Sequence, residues 1–141
     1  MPIWARTVIG RNDRIILPLR GWAFAPGAAM TRILLVEDDV DLRLIMEHVL
    51  IDGGYQVDTT STVEGGCELL GCRFYDLVIA DGRLSDGTGM EVADRAREKG
   101  LKTLIVTGYA FTMPPGCLDG YEVLLKPVRP TELLEAITRA L

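Results

Sequence analysis

Short apolar segments alternate with amphipathic segments along most of the chain, starting at Arg32. Four of the apolar segments are continuous runs bounded by polar residues or glycines, as expected for strands buried on both faces of a parallel sheet, and one segment alternates apolar and polar residues. The pattern predicts five strands, in the segments 33–36, 55–59, 77–80, 103–107 and 122–125.

Amphipathic helices are predicted between most of these strands. Apolar residues recur every three or four positions in the first of them, which stops at Gly53-Gly54. The other predicted helices run from Thr62 to Leu70, from about Met90 to Lys99, and from Thr131 to Leu141. The apolar positions of the first helix are Leu42, Ile45, Met46, Val49 and Leu50.

Strands separated by helices of this length predict βαβ crossovers, a parallel sheet and helices on both of its faces. The expected fold is a doubly wound α/β domain with strand order 2-1-3-4-5. The fourth connection is the exception, because Pro114-Pro115-Gly116 and Gly120 preclude a long helix before Tyr121. We expect a single turn or an irregular loop there.

Residues 1–29 differ from the rest of the chain. They hold four arginines against a single acid, Asp13, and the arginines leave no apolar run long enough for a signal peptide. We interpret them as a non-conforming extension of upstream sequence, with Met30 as a natural initiator and 30–141 as the domain. The alternative is a docking arm or an added strand, formed by Thr7-Val8-Ile9 or Ile15-Ile16-Leu17.

Amino-acid composition and net charge argue against some classes of function for this chain. The chain of 141 residues is 48% hydrophobic, which suits one ordinary soluble domain. Its 20 acids and 15 Lys and Arg include one acid and four arginines in residues 1–29, so residues 30–141 carry 19 acids against 11 bases, a net charge of −8. This argues against nucleic acid as a direct partner. No segment approaches the length of a membrane helix.

The three cysteines fit no metal-binding spacing. We interpret Cys67, Cys72 and Cys117 as reduced thiols, which suits a cytoplasmic protein.

Polar residues with complementary chemistry follow the predicted strands. Asp81 ends the third strand, and the carboxyl ends of neighbouring parallel strands meet at one edge of a sheet. Crowded carboxylates repel one another unless a hard cation such as Mg²⁺ binds. A carboxylate can accept a phosphoryl group when a metal and an amine neutralise the developing charge. The residues that would share this chemistry are Glu37 and Asp38, Asp81, Thr107 as the hydroxyl, and Lys126 as the amine.

These residues lie in motifs that resemble the response regulator receiver family of two-component signalling. The motifs are ILLVEDD, DLVIAD with Gly89 eight residues after Asp81, LIVTG and LLKP, in this order across residues 31–141. The resemblance implies a flavodoxin-like (βα)5 fold with Asp81 as the phosphoacceptor. It also implies that Mg²⁺ is held by Asp38, by Glu37 through water, by Asp81 and by the main-chain carbonyl of Arg83. Asp39 would then be a helix cap, and Lys126-Pro127 a cis peptide.

The chain departs from the family pattern at three places. Ser85 stands where the family usually has proline, and Val123 stands at the position of the aromatic switch residue, since Tyr121 comes two places too early. The short fourth connection changes the surface that most receivers use for output. The segment Val106-Thr107-Gly108-Tyr109-Ala110 resembles the FATGUY subgroup of alphaproteobacterial receivers, which is paired with HWE or related kinases. Tyr109 is then a substitute switch element or a plain packing residue.

The expected function is that of a stand-alone receiver, not an enzyme beyond its own phosphotransfer and dephosphorylation. Its expected partners are a histidine kinase or phosphotransfer protein and a downstream protein, and a homodimer is left open. Arg83, two residues after the acceptor, is a candidate for setting the phosphoryl lifetime.

Two other functions compete with that of a receiver. A phosphorylation-independent pseudo-receiver is the main alternative. A haloacid dehalogenase enzyme is disfavoured, because Arg83 occupies the place of its second acid. His48 is expected on the surface, and Gly87-Thr88-Gly89 as a turn rather than a nucleotide-binding loop.

Overall fold

A computed structural model describes residues 30–141, so the interpretations of residues 1–29 as an extension, an arm or an added strand lie outside the described residues. The domain alternates strands and helices as the sequence pattern predicts. Its elements are β1 Arg32–Val36, α1 Val40–Asp52, β2 Gln56–Thr60, α2 Val63–Cys72, β3 Leu77–Asp81, β4 Arg83–Leu84, β5 Gly87–Thr88, α3 Gly89–Glu98, β6 Lys102–Thr107, a single 3-10 turn Ala110–Thr112, β7 Val123–Leu125 and α4 Pro130–Ala140.

Five of the strands form one parallel sheet in the order β2-β1-β3-β6-β7. This confirms the predicted order 2-1-3-4-5, because β4 and β5 form a separate small hairpin. All five residues of the central strand β3 are buried, as expected for a continuous apolar run.

Side chains of the sheet alternate between two apolar cores. On one face, Ile33 and Ile79 pack with Met46 and Leu50 of α1 and with α4. On the other face, Leu34 and Val78 pack with α2 and α3. Each fully buried Leu or Ile contributes about 1.5–3 kcal/mol to folding. Helices therefore cover both faces, as predicted.

Helix α1 departs from its predicted apolar stripe at one position. Ile45 is 58% exposed, because Met46 and Leu50 already face the sheet and Ile45 is rotated about 100° from Met46 around the helix. Val40 and Leu44 are exposed on the same helix. The helix begins as predicted, with the Asp39 carboxylate accepting a hydrogen bond of 3.0 Å from the Leu42 N–H.

The β4–β5 hairpin was not predicted. Gly87–Thr88 pairs with Arg83–Leu84 instead of forming only a turn, and Asp86 lies at the connection between the two strands. The Asp86 carboxylate accepts hydrogen bonds from the N–H groups of Val63 and Glu64, at 2.8 and 3.1 Å. The hairpin that follows the Asp81 strand is therefore joined to the first turn of α2.

The fourth connection contains one 3-10 turn, Ala110–Thr112, as expected from its prolines and glycines. Its far end is attached to α3 by Tyr121. The hydroxyl of Tyr121 donates to Asp94 Oδ1 at 2.5 Å, and the Arg97 guanidinium lies 4.2 Å from the centre of the ring. Tyr121 is therefore an anchor for this connection.

A buried tyrosine joins three segments through one carboxylate. The hydroxyl of Tyr75, which is 4% exposed, donates to Asp58 Oδ2 at 2.7 Å. Arg73 and Arg32 lie 3.1 and 3.5 Å from the same oxygen. Burial, followed by the hydrogen bond to Asp58, raises the pKa of Tyr75 above its ordinary value.

We expect Tyr75→Phe to lower the free energy of unfolding by about 1 kcal/mol at neutral pH, because the ring still packs but the hydrogen bond is lost. The protonated tyrosine is the stabilising form, so the wild type loses this stability as the pH rises above about 10, the ordinary tyrosine pKa. The Phe variant lacks that part of the pH dependence. Urea unfolding at pH 7 and pH 10.5 measures both, and equal stability of the two proteins at pH 7 contradicts the assignment.

Candidate functional site

The carboxyl ends of the parallel strands form an acidic cleft. Glu37 and Asp38 follow β1, Asp81 ends β3, and Lys126 follows β7. Together with neighbouring residues they line a cleft of about 320 Å³. The full lining is Glu37, Asp38, Asp39, Asp81, Arg83, Leu84, Ser85, Tyr109 and Lys126.

Three carboxylates of the cleft are close enough to share one ion. Glu37, Asp38 and Asp81 each offer an oxygen, and these oxygens lie within 4.8 Å of one another. Glu37 and Asp81 are buried, whereas Asp38 is exposed. Three hard oxygen donors, one of them on the exposed residue Asp38, suit Mg²⁺, which prefers a few carboxylates and retained waters. Arg83 lies in the same cleft and its N–H donates to Asp81 Oδ1 at 3.3 Å. Its carbonyl as a ligand stays a prediction.

Lys126 pairs with both buried acids. Its Nζ lies 3.1 Å from Glu37 Oε1 and 3.0 Å from Asp81 Oδ2. Burial lowers the pKa of Lys126, but the hydrogen bond and charge of Asp81, with those of Glu37, outweigh burial and raise the pKa overall. Lys126 is therefore a charged donor aimed at the Asp81 carboxylate. The Lys126-Pro127 peptide is cis, as expected.

One ammonium does not neutralise this cluster. Burial, followed by the hydrogen bond with Asp81 and the charge of Asp81, raises the pKa of Glu37 to about 7, although the N–H of Asp39 and the charge of Lys126 lower it. The carboxyl of Glu37 thus holds a proton more tightly than an isolated glutamate does. A divalent cation would relieve the same repulsion.

Thr107 lies behind the cleft. It ends β6, is fully buried, and its Oγ1 accepts a hydrogen bond of 3.0 Å from the Tyr109 N–H. A Cβ atom on Gly82, the residue after Asp81, would lie 2.7 Å from that oxygen. Glycine is therefore required where the Asp81 segment passes the hydroxyl, a requirement that the sequence analysis missed. Its sequence signal is the glycine directly after the strand-end aspartate.

Gly89 is a second position where the neighbouring backbone leaves no room for a side chain. A Cβ there would lie 2.1 Å from the Asp81 carbonyl oxygen and 2.9 Å from the Ala80 Cβ. The start of α3 therefore packs directly against the backbone of the candidate acceptor. This contact gives a physical reason for a glycine eight residues after Asp81.

The three residues considered for the aromatic switch lie in different environments. Tyr109 is 46% exposed, and the Cζ atom of Arg83 lies 4.7 Å from the centre of its ring. Tyr121 contacts α3 and lies outside the cleft lining, and Val123 is a half-buried core residue. No described aromatic residue therefore occupies the position expected for a switch ring on β7.

The remaining candidates have simple environments. His48 is exposed and lies 3.5 Å from Asp52 on the same helix, which confirms a surface position. Cys67, Cys72 and Cys117 are free thiols. In the part of the chain from residue 30 onward, every helix is too short or too polar to span a bilayer.

The family model for the response regulator receiver domain matches residues 33–138. Among curated proteins, the chain is similar to the transcriptional regulatory protein DltR of Streptococcus agalactiae, at 32% identity over 75% of this chain and 50% of DltR. It is also similar to the alginate biosynthesis transcriptional regulatory protein AlgB of Pseudomonas aeruginosa, at 30% identity over 78% of this chain and 26% of AlgB. The chain thus spans half or less of the length of these relatives.

Two solved structures share the fold. A CheY-like receiver domain protein from Methanospirillum hungatei has 30% identity and a TM-score of 0.71, with 79% of this chain and 93% of that chain covered. The response regulator TrrA of Thermotoga maritima, solved in complex with Mg²⁺ and BeF, has 30% identity and a TM-score of 0.72, covering 79% of this chain and all of TrrA.

We expect Gly89→Ala to lower the free energy of unfolding by about 1–3 kcal/mol, because the added methyl overlaps the Asp81 backbone. Gly71→Ala is the matched control, since nothing lies within 4 Å of a Cβ at that helical position. There the change should leave stability equal or raise it by up to about 1 kcal/mol. Chemical denaturation measures both variants, and equal effects would refute the close approach.

We expect MgCl₂ to raise the melting temperature of the wild type and Asp38→Asn to remove most of that rise. Saturation at 100 times the dissociation constant stabilises a protein by about 2.7 kcal/mol. Asp41→Asn is the control, because Asp41 is an exposed acid on the first turn of α1 outside the cluster. Differential scanning fluorimetry at constant ionic strength measures the shift, and an Mg²⁺ response retained by Asp38→Asn contradicts the assignment of the cluster.

Proposed function

Since this chain belongs to the response regulator receiver domain family, we propose that it accepts a phosphoryl group from a phosphohistidine onto Asp81 and changes its protein contacts as a result. Receiver domains interact with histidine kinases and are generally non-enzymatic signalling modules.

The observation that carries the proposal is the environment of the Asp81 carboxylate. It is 4% exposed, yet it lines an open cleft and pairs with Lys126 at 3.0 Å. In the proposed transfer, an Asp81 oxygen forms a bond to phosphorus as the phosphorus–nitrogen bond of the donor breaks. The electron pair stays on the imidazole nitrogen, which takes a proton from solvent. Lys126 neutralises charge that develops on the phosphoryl oxygens, and the Thr107 hydroxyl donates to one of them.

The proposal includes Mg²⁺ as the cofactor. Glu37, Asp38 and Asp81 would hold it, together with the main-chain carbonyl of Arg83. When bound, the ion supplies positive charge beside the phosphoryl oxygens. The fit rests on three carboxylate oxygens that lie within 4.8 Å of one another and can share one ion.

A helical histidine donor is the proposed phosphodonor, either a kinase or a phosphotransfer protein. Helix α1 begins two residues after Asp38, which lines the cleft, and carries exposed apolar side chains. Val40, Leu44 and Ile45 are 56%, 57% and 58% exposed. Apolar anchors next to an acceptor suit a partner that must bring its phosphohistidine to Asp81.

A stand-alone cytoplasmic receiver, acting by protein contact or phosphorelay, is the finer part of the proposal. Residues 30–141 carry a net charge of −8, which supports a protein rather than nucleic acid as their direct partner. The named relatives are transcriptional regulators at least twice as long as the matched region, so they do not support excluding nucleic acid. The mass of the native protein in cells distinguishes a stand-alone receiver from part of a longer regulator.

Membership of the FATGUY subgroup is a further part of the proposal. It is supported by the single 3-10 turn in place of a fourth crossover helix and by Val123 in place of an aromatic residue. Pairing with an HWE or related kinase would follow from it.

The test is intact-protein mass spectrometry after incubation with acetyl phosphate and Mg²⁺. We expect the wild type and Asp41→Asn to gain one phosphoryl group, and Asp81→Asn to gain none. Phosphorylation of Asp81→Asn to the same extent would refute the acceptor. No gain by the wild type, with beryllofluoride also leaving its melting temperature unchanged, would favour the pseudo-receiver.

A further inference from the structure

The Arg83 guanidinium makes no ion pair with the acidic residues of the cleft. It lies two residues after Asp81 and lines the same cleft as Glu37 and Asp38. A guanidinium binds carboxylates through paired hydrogen bonds, so an ion pair would be expected here. Across residues 30–141, however, no salt bridge joins Arg83 to an acid, and the ammonium of Lys126 pairs with Glu37 and Asp81 instead.

The guanidinium lies instead over the ring of Tyr109, with Cζ 4.7 Å from the ring centre. This distance is within the range of a cation–π interaction. The ring is half-exposed and also lines the cleft. It therefore offers Arg83 an alternative position at the edge of the acidic cluster.

Both partners of this stack are fixed by their backbones. Arg83 pairs with Thr88 in the β4–β5 hairpin. The Tyr109 N–H donates to Thr107 Oγ1, and the Tyr109 carbonyl accepts from the N–H groups of Thr112 and Met113 at 3.0 and 3.1 Å. Hydrogen bonds thus hold the backbone on both sides of the stack, and the long, flexible Arg83 side chain can reach either the ring or the acids.

We infer that Tyr109 is a positioning residue, which holds the Arg83 guanidinium away from Glu37, Asp38 and Asp81 and keeps those carboxylates open for a divalent cation. The inference rests on the proposed function, because it assigns a metal to that cluster. Without the aromatic face, Arg83 is free to pair with the acids and compete with the cation for the same oxygens. Loss of a cation–π interaction at a half-exposed site would weaken the apparent affinity for the cation by about two- to fivefold.

Titration calorimetry with MgCl₂ tests the inference on the full chain. We expect Tyr109→Leu to weaken Mg²⁺ binding by about two- to fivefold, since leucine keeps apolar bulk but lacks the π face. Tyr109→Phe, which keeps the face, should bind as the wild type does. Arg83→Met should bind at least as tightly as the wild type, because it removes the competing charge and leaves the main chain in place.

The double variant separates positioning from packing. With Arg83→Met present, Tyr109→Leu should cost no affinity, since no guanidinium remains to be released. A loss that persists in the double variant, or unchanged binding by the single Tyr109→Leu variant, overturns the inference. Absence of Mg²⁺ binding by the wild type overturns the metal site itself and the inference with it, so the two failures are distinguishable. Melting temperatures in metal-free buffer verify that each variant is folded.

Discussion

Repulsion among three carboxylates at one edge of the sheet is the constraint on which the site depends. The parallel register brings Glu37, Asp38 and Asp81 together, and Lys126 offsets only part of their charge. Burial of Glu37, followed by its hydrogen bond with Asp81 and the charge of Asp81, raises the pKa of Glu37 above its ordinary value. The apolar cores on both faces of the sheet must supply the free energy that holds these groups close, because their mutual interaction opposes it.

Much of this arrangement could be predicted from the sequence because it depends on local patterns. Continuous apolar runs identify buried parallel strands, and the polar residue after each run identifies the strand end that carries Asp81 or Lys126. The proline and glycine residues after Gly108 likewise predicted a broken fourth connection. The strand order came from the doubly wound class and from the resemblance to receiver domains, and the position of the cleft followed from that order.

Features that depend on tertiary contact were missed. The strands of the β4–β5 hairpin have two residues each, too few to show a period. The stack of Arg83 on Tyr109 joins residues that are 26 positions apart, and no local sequence pattern indicates such a contact. The exposure of Ile45 depends on which face of α1 meets the sheet, and an apolar stripe that is wider than the contact leaves that choice open.

The hydrogen bonds from the first turn of α2 to Asp86 make two backbone amides into reporters of a distant loop. The first N–H groups of a helix lack intrahelical partners and normally exchange with solvent. Those of Val63 and Glu64 are instead covered by a carboxylate more than 20 residues away, on the hairpin that follows Asp81. Isotope exchange at these two amides therefore reads out how often that hairpin separates from the helix, independently of the fully buried strand β3 that precedes the hairpin.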